Sequence, residues 1–171
     1  MSNLVVLITL KYMNMKKIIL SVALVFVFGF ANAQSGKFKL GAHLGLPMGD
    51  IKDIRSLNLG VDAAYVWNVA ENFSAGIASG YTNYSGKSGF DSVGFIPIAA
   101  TGQFSLSKSM FLGADLGYGI YVGSGSGDGG FYYQPKLGYQ TEKFEVYLGY
   151  KGISVDGGTF SSLNVGFNYK L

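Results

Sequence analysis

The chain has no cysteine, three prolines, a single histidine and few charges, 13% of its 171 residues. Without cysteine there is no disulfide scaffold and no thiol chemistry. One histidine, His43, with scattered carboxylates makes no metal-ligand set, and no cofactor is expected. A hydrolase or acyltransferase would need His43 beside a serine and a carboxylate in fixed mutual geometry, and the pattern below places no serine there. The chain therefore reads as no enzyme. Long apolar runs are missing too: Ile18 to Ala31 spans 14 residues, where a membrane-crossing helix needs about 20.

That short run has a different meaning. Lys16 and Lys17 precede it and Ala31-Asn32-Ala33 follows, so basic, apolar and small residues come in the order of a secretory signal peptide, cleaved before Gln34. Residues 1–14 precede a better-placed start at Met15 and read as an over-extended start or a lengthened basic leader to the signal. With 1–33 removed, Lys11, Lys16 and Lys17 leave, and the 13 basic residues fall to ten against 10 acidic ones. The mature chain is neutral, no basic patch survives, and nucleic acid is excluded as a partner. Residues 34–171 form one domain.

What remains is glycine, aromatics and alternation. Eight runs alternate with period two, the signature of strands: Lys37 to Leu46, Leu57 to Asn68, Phe73 to Tyr84, Val93 to Phe104, Phe111 to Gly123, Phe131 to Gln140, Phe144 to Lys151, and a last run ending at Leu171. In the fifth, Leu112, Ala114, Leu116, Tyr118, Ile120 and Val122 face one way, and mostly glycine with Asp115 faces the other. Short connections (68–72, 105–109, 141–143) alternate with longer ones at 47–56, 85–92, 124–130 and 152–161, as in an up-and-down meander. The run "GSGSGDGG" lacks the Lys-Ser/Thr pair and following helix of a phosphate loop and reads as a mobile external loop.

The apolar faces carry no Lys, Arg, Asp or Glu, while the opposite faces hold Lys37, Lys39, Asp62, Asp115, Lys136, Glu145, Lys151 and Lys170. Such a face either fills a soluble core or meets lipid. An eight-stranded barrel has an interior only just wide enough for side chains. The many large apolar residues could not fit there; glycines, small polar residues and a few charges could. The apolar faces thus point out, into hydrocarbon, and strands of about 9–11 residues suffice to cross it. Closure leaves no unpaired edge in lipid, and an even strand count lets the last strand close antiparallel on the first. The fold class is all-β: an eight-stranded antiparallel up-and-down transmembrane β-barrel.

Trp67, Phe73, Phe104, Tyr139, Phe144 and Tyr169 fall beside the short turns, and Tyr81, Tyr118, Tyr133 and Tyr150 toward the long loops, matching two aromatic girdles. Inside, a packed polar lumen holds an ion-pair network of Lys39, His43, Asp62, Asp115, Lys136, Glu145, Lys151 and Lys170. Asp115 with Lys136 and Glu145 with Lys170 sit at equal heights on neighbouring strands, and His43 fills lumen space beside Asp62. Pro97 and Pro135 fall within strands, where β-bulges are expected.

The signal peptide, the meander, "FIPIAATGQF" in the fourth strand and the terminal "LNVGFNYKL" together resemble the small eight-stranded outer-membrane barrels, similar to the OmpA transmembrane domain and OmpX and to porin-like outer-membrane β-barrel proteins. The resemblance implies residence in a Gram-negative-type outer membrane, lipid as a partner, and recognition by the barrel-assembly machinery through the C-terminal strand. Phe167 and Tyr169 fit that signal; Leu171 stands where the family usually ends in Phe. It also implies a structural or interaction role, envelope integrity or adhesion through the surface loops to an unidentified extracellular partner. A small passive channel and a soluble lipocalin-like carrier are the alternatives. Mass spectrometry of the membrane-extracted protein is expected to find Gln34, or its pyroglutamate, at the N-terminus; a species keeping Met15 or Met1 would refute the signal peptide.

Overall fold

The computed structural model describes residues 36–123 and 127–171; the signal peptide and part of the "GSGSGDGG" loop lie outside them. Eight strands follow in order: β1 (Lys37–Met48), β2 (Arg55–Ala70), β3 (Phe73–Gly86), β4 (Val93–Ser105), β5 (Met110–Val122), β6 (Gly130–Gln140), β7 (Phe144–Val155) and β8 (Gly158–Lys170). Each is antiparallel to its sequence neighbours, and β8 pairs back onto β1, closing the barrel. The period-two alternation is the cause: one face per strand is uniformly apolar, so a register slip of one residue would turn a whole strand inside out.

One row of cross-strand partners fixes the geometry. From Phe111 on β5 it passes through Gly138, Tyr147, Gly166, His43, Gly60, Thr82 and Phe95 and returns to β5 at Tyr121. The return is ten residues further along the same strand, so the shear is ten. With a rise of about 3.3 Å per residue and strands about 4.8 Å apart, eight strands at this shear tilt by about 40°. Ten residues at that tilt climb about 25 Å, the height of a hydrocarbon band.

Every residue of this row faces inward, and large side chains alternate with glycine along much of it. The alternation is a matter of room. A Cβ on Gly138 would lie 2.6 Å from the Phe111 ring, one on Gly60 would lie 2.6 Å from His43 Cε1, and one on Gly166 would run into the Tyr147 ring. The glycines are recesses into which neighbouring rings lie down. Outside, Leu40, Leu44, Val61, Ile77, Ile98, Leu116, Phe131, Leu148, Val165 and their neighbours stand exposed.

Four expectations are corrected. The connection at 152–161 is no long loop: β7 and β8 continue to a two-residue turn, Asp156-Gly157, in which Gly157 takes φ 91°. The reading failed because Ile153, Val155 and Phe160 turn inward, breaking the apolar-out pattern that marked strands elsewhere. Nor do bulges form at the prolines. Pairing with one neighbour lapses, between Ser79↔Ile98 and Thr82↔Phe95 for Pro97 and between Tyr133↔Gly152 and Lys136↔Gly149 for Pro135, yet the register is the same on both sides. A missing N–H costs a ladder bond without requiring an extra residue. Register shifts occur instead on β2, at Arg55/Leu57 and Asn68/Ala70. Lys37 sits exposed at the barrel rim rather than in the lumen.

The fourth correction concerns the interior, which is polar only through its middle and toward the short turns. Toward the long loops it becomes an apolar plug: Tyr84, Phe95, Tyr132 and Ile153 are buried, Phe160 and Tyr121 pack on them, and Ile51 folds in from the 3-10 turn Gly49–Ile51 between β1 and β2. Ring pairs Phe95–Phe160 (5.1 Å) and Phe95–Tyr121 (5.8 Å) meet edge to face, the arrangement that ring quadrupoles favour.

Leu116 lies midway along β5 on the outer face. Leu116→Lys is expected to cost about 2–4 kcal/mol of stability in lipid vesicles, while Leu116→Met stays near neutral. Equal urea midpoints for the two variants would mean that this face meets water.

Candidate functional site

The charged residues converge in the lumen because the strands that carry them alternate strictly. Nearest the short turns, Lys39 and Lys170 are direct cross-strand partners on β1 and β8. Two cations so placed repel, and Glu145 on β7 lies between them, 2.7 Å from Lys39 Nζ and 3.1 Å from Lys170 Nζ. Lys39 also donates to Gln103 Oε1 (2.8 Å), Gln103 Nε2 donates to Glu145 Oε1 (3.1 Å) and to Gln140 Oε1 (2.8 Å), and Asn168 Nδ2 donates to Glu145 Oε2 (3.3 Å). One carboxylate thus holds two lysines and two amides.

Above it, Lys136 Nζ donates to both oxygens of Asp115, at 2.8 and 2.7 Å. The partner directly opposite Asp115 is Gln134, and Lys136 faces Gly113. The pair is therefore diagonal rather than level, within the reach of a long side chain, and the ammonium also sits 5.5 Å from the centre of the Tyr147 ring.

The third group is centred on His43, whose ring lies against Gly60. Nδ1 is 2.7 Å from Asp62 Oδ2, which also accepts from Tyr147 Oη at 3.2 Å. Nε2 is 2.8 Å from Lys151 Nζ and 3.1 Å from Thr82 Oγ1. An ammonium has only protons to give, so Nε2 accepts from Lys151 and Nδ1–H donates to Asp62: the imidazole is neutral. Lys151 is fully buried, and among the described residues no carboxylate forms a salt bridge with it. Its counter-charge is Asp62, reached through the ring.

Thr82 gives His43 the hydroxyl neighbour that the sequence pattern did not show; it lies one strand beyond Gly60, invisible without the register. Carboxylate, imidazole and hydroxyl in line have the order of a nucleophilic triad. Here the order activates nothing. The Nε2 lone pair is taken by Lys151, Thr82 Oγ1 accepts from Asn58 Nδ2 at 2.8 Å, and Thr82 is fully buried. Further bonds from Ser162 to Asn58 (3.2 Å) and between Tyr84 and Ser162 (3.2 Å) carry the network up to the plug. The cavity beside these groups measures about 30 Å³ and is lined by Lys39, Asp62, Asp115, Gln134, Lys136 and Tyr147 among others. That is room for a water or two.

The ten girdle aromatics all stand on outward positions. Phe73, Tyr81, Phe104, Tyr118, Tyr139, Phe144, Tyr150 and Tyr169 are exposed. Trp67 and Tyr133 are half-buried against neighbouring rings, Tyr65 at 4.9 Å and Tyr150 at 6.2 Å.

No protein-family model matches the chain, and no curated protein does. Solved structures do share its fold. The attachment invasion locus protein Ail of Yersinia pestis superposes with a TM-score of 0.56 at 14% identity, covering 80% of this chain and 97% of that one. A structure from the de novo design of transmembrane β-barrels gives 0.52 at 11% identity, with 81% and 98% covered. The N-terminal barrel domain of Pseudomonas aeruginosa OprF gives 0.50 at 13% identity, with 80% and 100% covered. Ail has also been solved in complex with the heparin analogue sucrose octasulfate. The fold of this chain is that of the small eight-stranded outer-membrane barrels.

Breaking a buried pair leaves its partner unpaired, at a cost of about 3–5 kcal/mol. Asp115→Asn and Lys136→Met are each expected to lower the urea unfolding midpoint in vesicles, with the double variant recovering part of the loss. Simple additivity would show that the two groups are not coupled.

Proposed function

We propose that the chain is an integral outer-membrane barrel with a closed lumen, serving envelope structure or contact at the cell surface through its long-loop end. The observation that carries this reading is the inverted distribution of polarity: the exposed surface of the strands is a continuous apolar belt, while Lys39, His43, Asp115, Glu145 and Lys151 are buried inside. A lipocalin-like carrier needs the reverse, an apolar cavity enclosed by the sheet. Against a channel stand the ion-pair network, the aromatic plug and a cavity of only about 30 Å³. The reading includes no catalysis, since the one triad-like arrangement is sealed and its histidine engaged. Outward Phe167 and Tyr169 on β8 offer the assembly machinery its terminal strand signal.

The loops bear on the kind of partner. Asp50, Asp53, Asp91, Asp128 and Asp156 are exposed at the long-loop end, against Lys52 and Lys87; Arg55 is buried there, donating to the Asp91 carbonyl and lying 5.8 Å from the centre of the Phe160 ring. Ail binds a sulfated heparin analogue. An acidic rim repels such a polyanion, so the surface partner of this chain is of another charge class.

On fractionation the protein is expected only in detergent extracts of the outer membrane, and reconstituted in planar bilayers it is expected to give no steady conductance. Recovery without detergent would favour the carrier; a large open conductance would replace the closed barrel with the channel.

A further inference from the structure

We propose that Asp62, His43 and Lys151 form an acid-operated switch inside the barrel, in which a second proton on His43 drives the Lys151 ammonium off the imidazole and toward the free oxygen of Asp62. The starting state is set by the hydrogen bonds. Lys151 Nζ lies 2.8 Å from His43 Nε2 and 3.5 Å from Thr82 Oγ1, and the nearer acceptor is available only while the ring carries its proton on Nδ1 alone. A proton arriving at Nε2 puts donor against donor and cation against cation at that distance.

The ring cannot swing aside, because the recess at Gly60 holds it: even a Cβ there would come within 2.6 Å of Cε1 and 2.8 Å of Nε2. It does have a new acceptor, since Thr82 Oγ1 is already 3.1 Å from Nε2. The doubly protonated ring can therefore bond Asp62 on one side and Thr82 on the other, and the lysine is the group that must move. The plug residues Ile153 and Tyr84 close the way toward the long loops. The other way leads to the cavity, which Asp62, Asp115 and Gln134 line.

The carboxylates favour that direction and the cavity's own lysines, Lys39 and Lys136, limit how far the ammonium can go. Asp62 on β2 and Asp115 on β5 attract Lys151, and Lys136 on β6 repels it. His43 on β1 feels Asp62 as an attractive charge and Lys151 and Lys136 as repulsive ones; Tyr147 on β7 bonds Asp62, Thr82 on β3 contributes a hydroxyl, and β8 places uncharged Gly166 opposite His43. Asp115 already has both oxygens on Lys136. Asp62 uses Oδ2 for His43 and Tyr147, so Oδ1 is the place for an incoming ammonium.

The test uses the barrel refolded in lipid vesicles. Free imidazole takes a proton near pH 6.5. While the folded barrel keeps His43 neutral, unfolding takes up a proton below that pH, so the folded-to-unfolded ratio is expected to fall on acidification from pH 6.5, by at most about tenfold per pH unit, and to level off where the folded ring takes its second proton. His43→Gln keeps a donor and an acceptor but cannot titrate, and Lys151→Met removes the repelled cation; both are expected to lose this slope. An unchanged slope in either variant overturns the proposal. Nitrogen NMR of the wild-type barrel decides it without variants: at pH 7.5 the ring should carry its proton on Nδ1 alone, and on acidification the Lys151 Nζ signal should shift together with the ring signals. A ring doubly protonated at pH 7.5, or a Lys151 signal that ignores the ring's titration, also overturns it.

Discussion

Closure of eight strands at a shear of ten is the constraint from which the rest follows. It satisfies the backbone bonds between strands without leaving an edge, and it fixes the interior as a narrow column that side chains must fill without a void or a clash. The row from Phe111 to Tyr121 shows how that is met: Tyr147 lies between Gly138 and Gly166, and His43 between Gly166 and Gly60. A glycine opposite Phe111, Tyr147 and His43 lowers the local demand for space. The abundance of glycine is a packing pattern rather than a sign of flexibility, because these positions sit in the middle of paired strands.

The same narrowness explains why charges can live inside. In a dry column an isolated ammonium would be costly, and each lumen lysine has an answer at close range: Glu145 for Lys39 and Lys170, Asp115 for Lys136, and the His43–Asp62 relay for Lys151. Glu145–Lys170, Asp115–Lys136 and His43–Asp62 join adjacent strands, while Lys39–Glu145 and Lys151–His43 cross from β1 to β7 and Tyr147–Asp62 crosses from β7 to β2. The crossing contacts brace the barrel across its lumen where the ladder bonds only link adjacent strands. Lys151 is the exception in kind, since its acceptor is a titratable ring rather than a carboxylate, and a proton can take that acceptor away.

Polarity changes along the axis as well as between faces. Tyr84, Phe95, Ile153 and Phe160 seal the long-loop end with hydrocarbon and aromatic contacts, and the network below them handles charge. The division is in keeping with the proposed role, in which the barrel is closed to solutes and its loops are the working surface. Under the proposed surface role, the exposed aspartates on those loops would set the sign of what approaches.

Alternation alone determined the strand count, the order and the outward phase, because the period of two is a local property: in "FLGADLGYGIYV" each residue's face follows from its neighbours. It also put Asp115, Lys136, Glu145 and Lys170 on the inner face. It could not show that Lys39 joins Lys170 on Glu145, that Thr82 stands beside His43, or that Lys151 leans on an imidazole, since those contacts depend on register and shear accumulated over several strands. It misread 152–161 for a related reason. Ile153, Val155 and Phe160 keep the period but reverse the polarity, and polarity near the long loops is set by the plug they build with Tyr84 and Phe95 from other strands. Local pattern decides which way a side chain points; only the closed barrel decides what it meets there.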